Sequence, residues 1–325
     1  MKAIVYTKYG SPDVLQVKEV EKPTPKDDEI LIKVHASEVT KADCEMRSFN
    51  FQVKWFWLPL RVALGFTKPK KQILGGYFAG EVESVGKDVA KFMKGDQIFG
   101  ATKLRLGAYG EYVSLPFNYT LVSKPNNVRF EEAAAVPLGG LNALHFLRMA
   151  NIKKDEKVLV NGAGGSIGTF GVQIAKGMGA EVTAVDSTIK EEMLRRIGAD
   201  HFVDYTKEDF TKCGQSYDVI FSMVAKSSYS DCVNALKPKG RYLIANPRVS
   251  DMLRSILTSK FTDKTAIFAF ARETEEELLK LKEMVEEGKI KPVGDQIYSL
   301  EQAAAAHRRV ETEKRLGTVV ISMAK

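Results

Sequence analysis

The sequence predicts an α/β protein in which a doubly wound parallel sheet is inserted into a smaller, β-rich body. Three observations carry this expectation. Between residues 157 and 271, strand-like apolar runs alternate with helical patterns, and that alternation means a parallel sheet with helices on both faces. Before it, short strands recur between Pro, Gly and Asp turns, the texture of a small barrel. After it, strand texture returns at 296–300 and 317–322, so the tail is expected to pack back on the N-terminal body. A chain of 325 residues is long for one core. The expected divisions are 1–124, 125–271 and 272–325.

The early strands read at 3–6, 14–20, 29–36, 78–85, 97–99 and 110–115. Near Glu131 the pattern turns helical and continues through 141–148, past Gly139 and Gly140. The parallel-sheet strands read at 157–161, 181–186, 201–205, 218–223, 241–245 and 265–270, with helices near 167–178, 188–197 and 227–236. A charged helix over 274–287 places Leu278, Leu281 and Val285 on one face, and Gly288 ends it. A further helix starts at Glu301.

The stretch 157–168 is the most specific. Val158 to Val160 is a β-branched apolar run that breaks into glycines at 162, 164, 165 and 168, after which Gly171 to Lys176 follows a helical spacing. Strand, glycine turn and helix form the context of a dinucleotide-binding loop. Glycines let the backbone approach a pyrophosphate, and the N–H groups at the helix start hold its charge. Position 167 is Ile, so the spacing is G-x-x-G-x-x-G on 162, 165 and 168 rather than G-x-G-x-x-G. The loop candidates are Asn161, Gly162, Gly164, Gly165, Ser166, Ile167 and Gly168. Asp186 ends the next strand, where a carboxylate accepts from ribose hydroxyls and disfavours a 2′-phosphate.

Composition excludes other classes. Apolar content of 44% and charged content of 27% are those of a globular chain. No apolar run approaches the ~20 residues of a membrane span, and the start carries a strand pattern rather than a signal peptide. Cys44, Cys213 and Cys232 are odd in number and far apart, which fits a reducing cytosol and not a disulfide framework. The expected location is cytoplasmic, with no membrane partner. The net charge of +7 is spread along the chain. It reads as a solvated basic surface that helps attract phosphorylated cofactors, and charge alone gives weak ground for nucleic-acid binding.

With these residues in hand, the chain resembles the medium-chain dehydrogenase/reductase superfamily, in its zinc-independent quinone oxidoreductase-like branch. The resemblance runs through 74–82, 85–100, 107–113, 134–140, 158–176, 197–200 and Asp204-Tyr205. It implies a GroES-like catalytic domain of barrel type, a Rossmann domain inserted in it, and an NAD(P)H cofactor. Zinc relatives carry a Cys, a Gly-His-Glu and a second Cys, and those places here hold Thr40, Gly76-Tyr77 and about Leu138. Thr, Gly and Leu are not useful zinc ligands, so no metal is expected. Without a Lewis acid, alcohol oxidation loses its means of stabilising an alkoxide, whereas quinones and enones polarise themselves. The resemblance therefore implies hydride transfer to a quinone or an α,β-unsaturated carbonyl. Alternatives are a zinc-free alcohol dehydrogenase-like enzyme and a non-catalytic cofactor-binding regulatory or RNA-binding protein.

The sequence departs from the branch where its chemistry is read. Many members show Asn-x-x-Asp followed two residues on by Tyr. The matching places here are Thr40, Asp43 and Glu45. Thr40 offers a hydroxyl to a substrate oxygen, and Glu45 is either an acid or a solvated carboxylate. Thr40, Trp55, Tyr77 and Asn142 are the expected substrate-pocket residues, and the aromatic stretch 49–60 either suits flat apolar acceptors or forms a local hydrophobic plug or a dimer contact. For the adenine end, Asp186 points to NADH, while Ser187 and Lys190 match a serine and a nearby cation with which relatives hold NADPH, and Tyr205 is expected to flank the adenine ribose; Lys190 otherwise reads as an exposed helix residue. His145 reads as structural. The apolar edge at 265–270 predicts a homodimer, with Ile267 and Phe268 at or beside the contact.

Overall fold

The computed structural model of the chain describes residues 1–51 and 57–323. Strands Lys2–Val5 (β1), Gln16–Glu19 (β2), Glu29–Val39 (β3), Tyr77–Val85 (β4), Gln97–Ala101 (β5), Tyr112–Pro116 (β6) and Leu121–Ser123 (β7) build the N-terminal body, with helices Lys41–Ser48 (α1) and Trp57–Leu64 (α2) between β3 and β4. β3 is its spine. It pairs antiparallel with β4 and with β6, and Ile30, Ile32 and Val34 meet Val82, Ile98, Val113 and Leu121 in a closed apolar core. A register break between Val34 and Ala36 then re-aims the strand end. Past it, Ala36 joins the core shared with the helices, and Glu38 comes within reach of Ser166.

The second body follows helices Phe130–Ala134 (α3) and Val136–Ala150 (α4). Its elements are Lys157–Asn161 (β8), Ser166–Gly177 (α5), Glu181–Asp186 (β9), Glu191–Arg196 (α6), His201–Asp204 (β10), Tyr217–Ser222 (β11), Tyr229–Asn234 (α7), Leu236–Ile244 (β12), Val249–Phe261 (α8) and Thr265–Phe268 (β13). The six strands lie in the order β10-β9-β8-β11-β12-β13, and every pairing is parallel. That is the order of a doubly wound nucleotide-binding sheet. Both faces are covered. Val158, Val160, Val182 and Phe221 pack with Leu144, Leu147, Phe170 and Ile174 of α4 and α5. Leu159, Val185, Ile220 and Tyr242 pack with Tyr229 and Cys232 of α7. The near-continuous apolar runs of these strands follow from burial on both faces.

Helix Glu275–Glu286 (α9) then leads to Gly294–Ser299 (β14), Ala303–Glu311 (α10) and Thr318–Ser322 (β15). β15 pairs antiparallel with β3, from Val319 against Val39 to Ser322 against Ala36, so the tail completes the N-terminal sheet. The same tail touches the glycine loop, where Gly317 N donates to Gly164 O at 3.0 Å.

Some elements differ from the sequence expectation. The turn at Thr188–Lys190 is a separate 3-10 turn before α6. β12 begins at Leu236 rather than 241, because Lys239 takes a left-handed φ of 60° and the ladder with β11 shifts register across it. α1 and α8 were not anticipated. α1 starts at a capping box in which Thr40 Oγ1 accepts from Asp43 N and Asp43 Oδ2 accepts from Thr40 N. α8 carries Val249, Leu253, Ile256, Leu257 and Phe261 on an exposed apolar stripe, and its first residue follows Arg248 in place of a usual capping residue.

Candidate active site

The glycine loop is built by close approach. Gly162 has a φ of +87°, a conformation that side chains resist. A Cβ on Gly168 would lie 2.3 Å from Gly162 O and 2.5 Å from Ala163 O, so this glycine lets α5 seat against the end of β8. Gly165 is different. It is the N-cap of α5, with no side-chain cap, and a Cβ there would meet nothing nearer than Gly162 O at 3.7 Å and Arg315 Nη2 at 3.8 Å. The helix start thus opens on a space edged by a guanidinium. Ser166 Oγ and Glu38 Oε2 are both buried there, within reach of each other. An uncapped helix start with a guanidinium at its edge suits an anionic ligand. Asn161 sits under the turn and donates to Ser222 Oγ and Ser227 Oγ at 3.1 and 2.8 Å, tying the ends of β8 and β11 together. Ile167 is half-buried against the shared core.

The adenine end departs from expectation. Asp186 is buried, and its oxygens are already engaged: Oδ2 accepts from Gly164 N and Oδ1 from Ser187 N, each at 2.8 Å. Lys190 is not an exposed helix residue. It is only 4% exposed, with its ammonium 3.0 Å from Asp186 Oδ1, and a Cβ on Gly164 would strike its Cδ at 2.2 Å. The missing Gly164 side chain makes room for the lysine stem, and the ion pair compensates its burial. Ser187 lies beside Asp186, and Tyr205 is exposed after β10.

The wall facing the loop comes from β3, α1 and β4. Thr40 is buried and donates its hydroxyl proton to Asp43 Oδ2 at 2.6 Å. The same hydroxyl accepts from Asp43 N in the cap of α1. Asp43 also accepts from Gly75 N at 3.1 Å. Burial pushes the Glu38 carboxyl up to about 8, against smaller downward pulls from Ser166 and Arg315. Tyr77 opens β4, and its hydroxyl donates to Glu273 Oε1. Asn142 donates to Leu138 O within α4 at 2.9 Å. A cleft is lined by Glu45, Phe51 and Leu60 on one side and by Ala245, Asn246, Pro247 and Phe270 on the other. Trp55 lies outside the described residues.

Glu38, Glu273 and Arg315 were not anticipated. Glu38 lies in a strand, Glu273 in a short link, and Arg315 in the tail, and none carries a local signature of its destination. No cluster of three His, Cys, Asp or Glu side chains that could hold a metal occurs among the described residues. His145 contacts Glu277 of α9 at 3.5 Å. His307 is buried against Cys44, and its imidazole is held down at about 3 by burial.

The family model "Alcohol dehydrogenase GroES-like domain" matches residues 26–126, and "Zinc-binding dehydrogenase" matches 197–321. A quinone oxidoreductase of Sus scrofa is 32% identical, over 95% of this chain and 94% of its own length. An NADPH-dependent alkenal/one oxidoreductase, chloroplastic, of Arabidopsis thaliana is 30% identical, over 99% of this chain and 79% of its own length. The solved structure of the quinone oxidoreductase from Coxiella burnetii superposes with a TM-score of 0.88 at 28% identity, covering 100% of this chain and 99% of that one. Two bodies of this topology, with a glycine loop at their junction, define a nucleotide-dependent oxidoreductase architecture. The chain belongs to the medium-chain dehydrogenase/reductase superfamily, in its quinone oxidoreductase-like branch.

Proposed function

We propose that the protein reduces quinones and α,β-unsaturated carbonyls with hydride from NAD(P)H, without zinc. The observation that carries this is the open helix start at Gly165, with Arg315 at its edge, facing a wall whose side chains at the zinc positions are Thr40, Gly76, Tyr77 and Leu138. The relatives named above, a quinone oxidoreductase and an NADPH-dependent alkenal/one oxidoreductase, support the same substrate classes and cofactor. Gly162, Gly164, Gly165, Ser166, Ile167 and Gly168 hold the pyrophosphate, with Asn161 bracing the turn from below. Asp186, Ser187, Lys190 and Tyr205 flank the adenine ribose. The nicotinamide supplies a hydride when bound. The protein's part is to orient the acceptor in the cleft beside Glu45, with Tyr77 and Asn142 as further pocket residues, and to keep water from it.

Incubation with NADH or NADPH and panels of quinones and enones tests the reading: cofactor consumption that needs the acceptor supports it, and none with either class contradicts it. Elemental analysis after dialysis should find well under one zinc per chain; a full equivalent, lost with activity on chelation, would contradict the metal-free reading.

The divisions 1–124, 125–271 and 272–325 belong to the same proposal, supported by the pairing of β15 with β3; limited proteolysis at their links tests them. So does a homodimer. β13 is the outer strand of its sheet, Ile267 and Phe268 are half-buried on it, and the exposed apolar stripe of α8 leads into it. Pairing two such edges covers both. Sedimentation velocity should give a dimer that Ile267→Lys weakens, and a stable monomer at micromolar concentration contradicts it. The free thiols Cys44, Cys213 and Cys232 support a cytoplasmic location, which fractionation tests. Among the described residues no helix is long and apolar enough to cross a membrane.

A further inference from the structure

The segment after α1 carries apolar surface that the described residues leave uncovered. In α2 Arg61 is the one polar residue. A helix that is apolar on nearly every side belongs in a core or in lipid, yet no residue of α2 is buried. Leu58, Val62 and Phe66 are each more than half exposed, and Trp57 is 45% exposed. An apolar patch of this kind marks a binding surface.

The patch is one lip of the cleft. Leu60 of α2 lines the cleft, and so does Phe51. Phe51 meets Phe49 edge-on at 5.2 Å, Phe49 meets Trp57 edge-on at 6.2 Å, and Arg61 stacks over Phe49 at 3.5 Å. A row of aromatic rings thus leads from the cleft lining to the surface. Across the cleft, Ala245, Asn246 and Pro247 run into α8, whose first turns expose Val249 and Leu253, and Phe270 lines the cleft and is exposed as well. Only the last turn of α8 lies by the edge strand, where Ser259 Oγ accepts from Ala266 N at 3.0 Å.

The first lip carries charge of one sign. No Asp or Glu occurs from residue 46 to 80, whereas Arg61, Lys68, Lys70 and Lys71 fall within 57–71. The three lysines are exposed. On the far lip Asp251 is paired with Arg248, and Arg254 and Lys260 follow it. A second copy docked here about a two-fold axis would bring lysines to lysines. An anionic lipid surface answers both features, since its headgroups meet the lysines and its acyl boundary meets the apolar side chains. We propose that the mouth of the cleft docks on an anionic lipid surface. From that surface the cleft draws an acceptor dissolved in the bilayer, a quinone or enone with a long hydrocarbon tail. The acceptor half rests on the reductase reading above, and the docking half does not. The contact is peripheral and needs no spanning helix, so the expectation of no membrane partner, drawn from the lack of a spanning run, does not reach it.

Flotation of the full chain with lipid vesicles, without cofactor or acceptor, tests the docking. The protein should float with phosphatidylcholine vesicles holding about one-quarter phosphatidylserine, stay behind with pure phosphatidylcholine, and be released as salt is raised. Lys68→Gln with Lys71→Gln should lower the partition coefficient ~10-fold, and so should Val62→Ser with Phe66→Ser. Leu253→Ser on the far lip should lower it ~3-fold. Circular dichroism and turnover of water-soluble benzoquinone should be unchanged in all three variants. Turnover of a long-tailed quinone held in the anionic vesicles should fall with the binding. No binding, equal affinity for both kinds of vesicle, or binding that neither pair of substitutions weakens overturns the docking. So does a lip that joins copies of the chain, read as a smaller sedimentation coefficient for Val62→Ser with Phe66→Ser and unchanged vesicle binding. Equal turnover of the long-tailed quinone by wild type and the weakly binding variants overturns the acceptor half alone. A wild-type protein that floats but turns over neither quinone refutes the reductase reading and the acceptor half with it, while the docking stands.

Discussion

The glycine loop and the wall facing it are specified in different ways. The loop is a backbone device. Gly162, Gly165 and Gly168 lie within seven residues: Gly162 takes a positive φ, Gly168 allows a close approach to backbone carbonyls, and Gly165 leaves the helix start open. The wall is a side-chain device. Glu38, Thr40, Tyr77 and Glu273 come from β3, the cap of α1, the start of β4 and a link after β13, and tertiary packing alone assembles them. A backbone device leaves a local pattern in sequence. A side-chain device leaves none, because its residues meet only through packing.

The contrast can be broken most severely inside the loop itself. Gly168→Val places a side chain on the carbonyls of Gly162 and Ala163, and should destabilise the protein by about 3 kcal/mol because the contact is with backbone. Thermal unfolding reads this as a large fall in Tm. Gly165→Val, three residues earlier, enters open space. It should keep the circular dichroism spectrum and lose cofactor affinity about 100-fold, or about 2.7 kcal/mol. Near-wild-type affinity would mean that the loop does not hold the phosphates.

The wall offers a pH test. In the unfolded chain Glu38 loses its proton near 4.5, whereas the folded protein keeps it up to about 8. The folded state thus binds the extra proton between those values. Its contribution to stability is complete below about 4.5 and disappears as pH rises through about 8. Glu38→Gln cannot ionise, so its stability should gain on wild type as pH rises from 5 to 8, by up to about 1.4 kcal/mol per pH unit. Denaturant titrations across that range check it, and a constant difference would show that Glu38 does not titrate there.

A smaller effect sharpens the account of the adenine end. Asp186→Ser removes the partner of Lys190 and frees its ammonium for a 2′-phosphate. The ratio of NADPH to NADH dissociation constants should fall about tenfold, or about 1.4 kcal/mol. An unchanged ratio would mean that Lys190 does not reach the ribose.

What was legible in sequence follows the same division. β8 and β9 fall at 157–161 and 181–186 as their spacing predicts, because strands buried on both faces are written as contiguous β-branched runs. The return of the tail was legible from strand texture, and β15 pairs with β3. The burial of Lys190 was not, since it depends on the absent Cβ of Gly164 and on Asp186 four residues back. Thr40-x-x-Asp43 did carry a local sign, a capping box, which fixes the hydroxyl that the chemistry alone assigns to substrate. The Tyr77–Glu273 contact has no local sign at all. Its partners are joined only by the docking of two bodies.

The central claim is hydride transfer from a nicotinamide to an enone or quinone in this cleft. It is tested most directly with NAD(P)H carrying deuterium on the transferring face of nicotinamide C4 and an enone as acceptor, followed by mass spectrometry of the product. The account predicts a saturated ketone with one deuterium at the β-carbon, formed without added metal. Cofactor consumption that leaves no deuterium in the product, or the absence of any ketone, would contradict it.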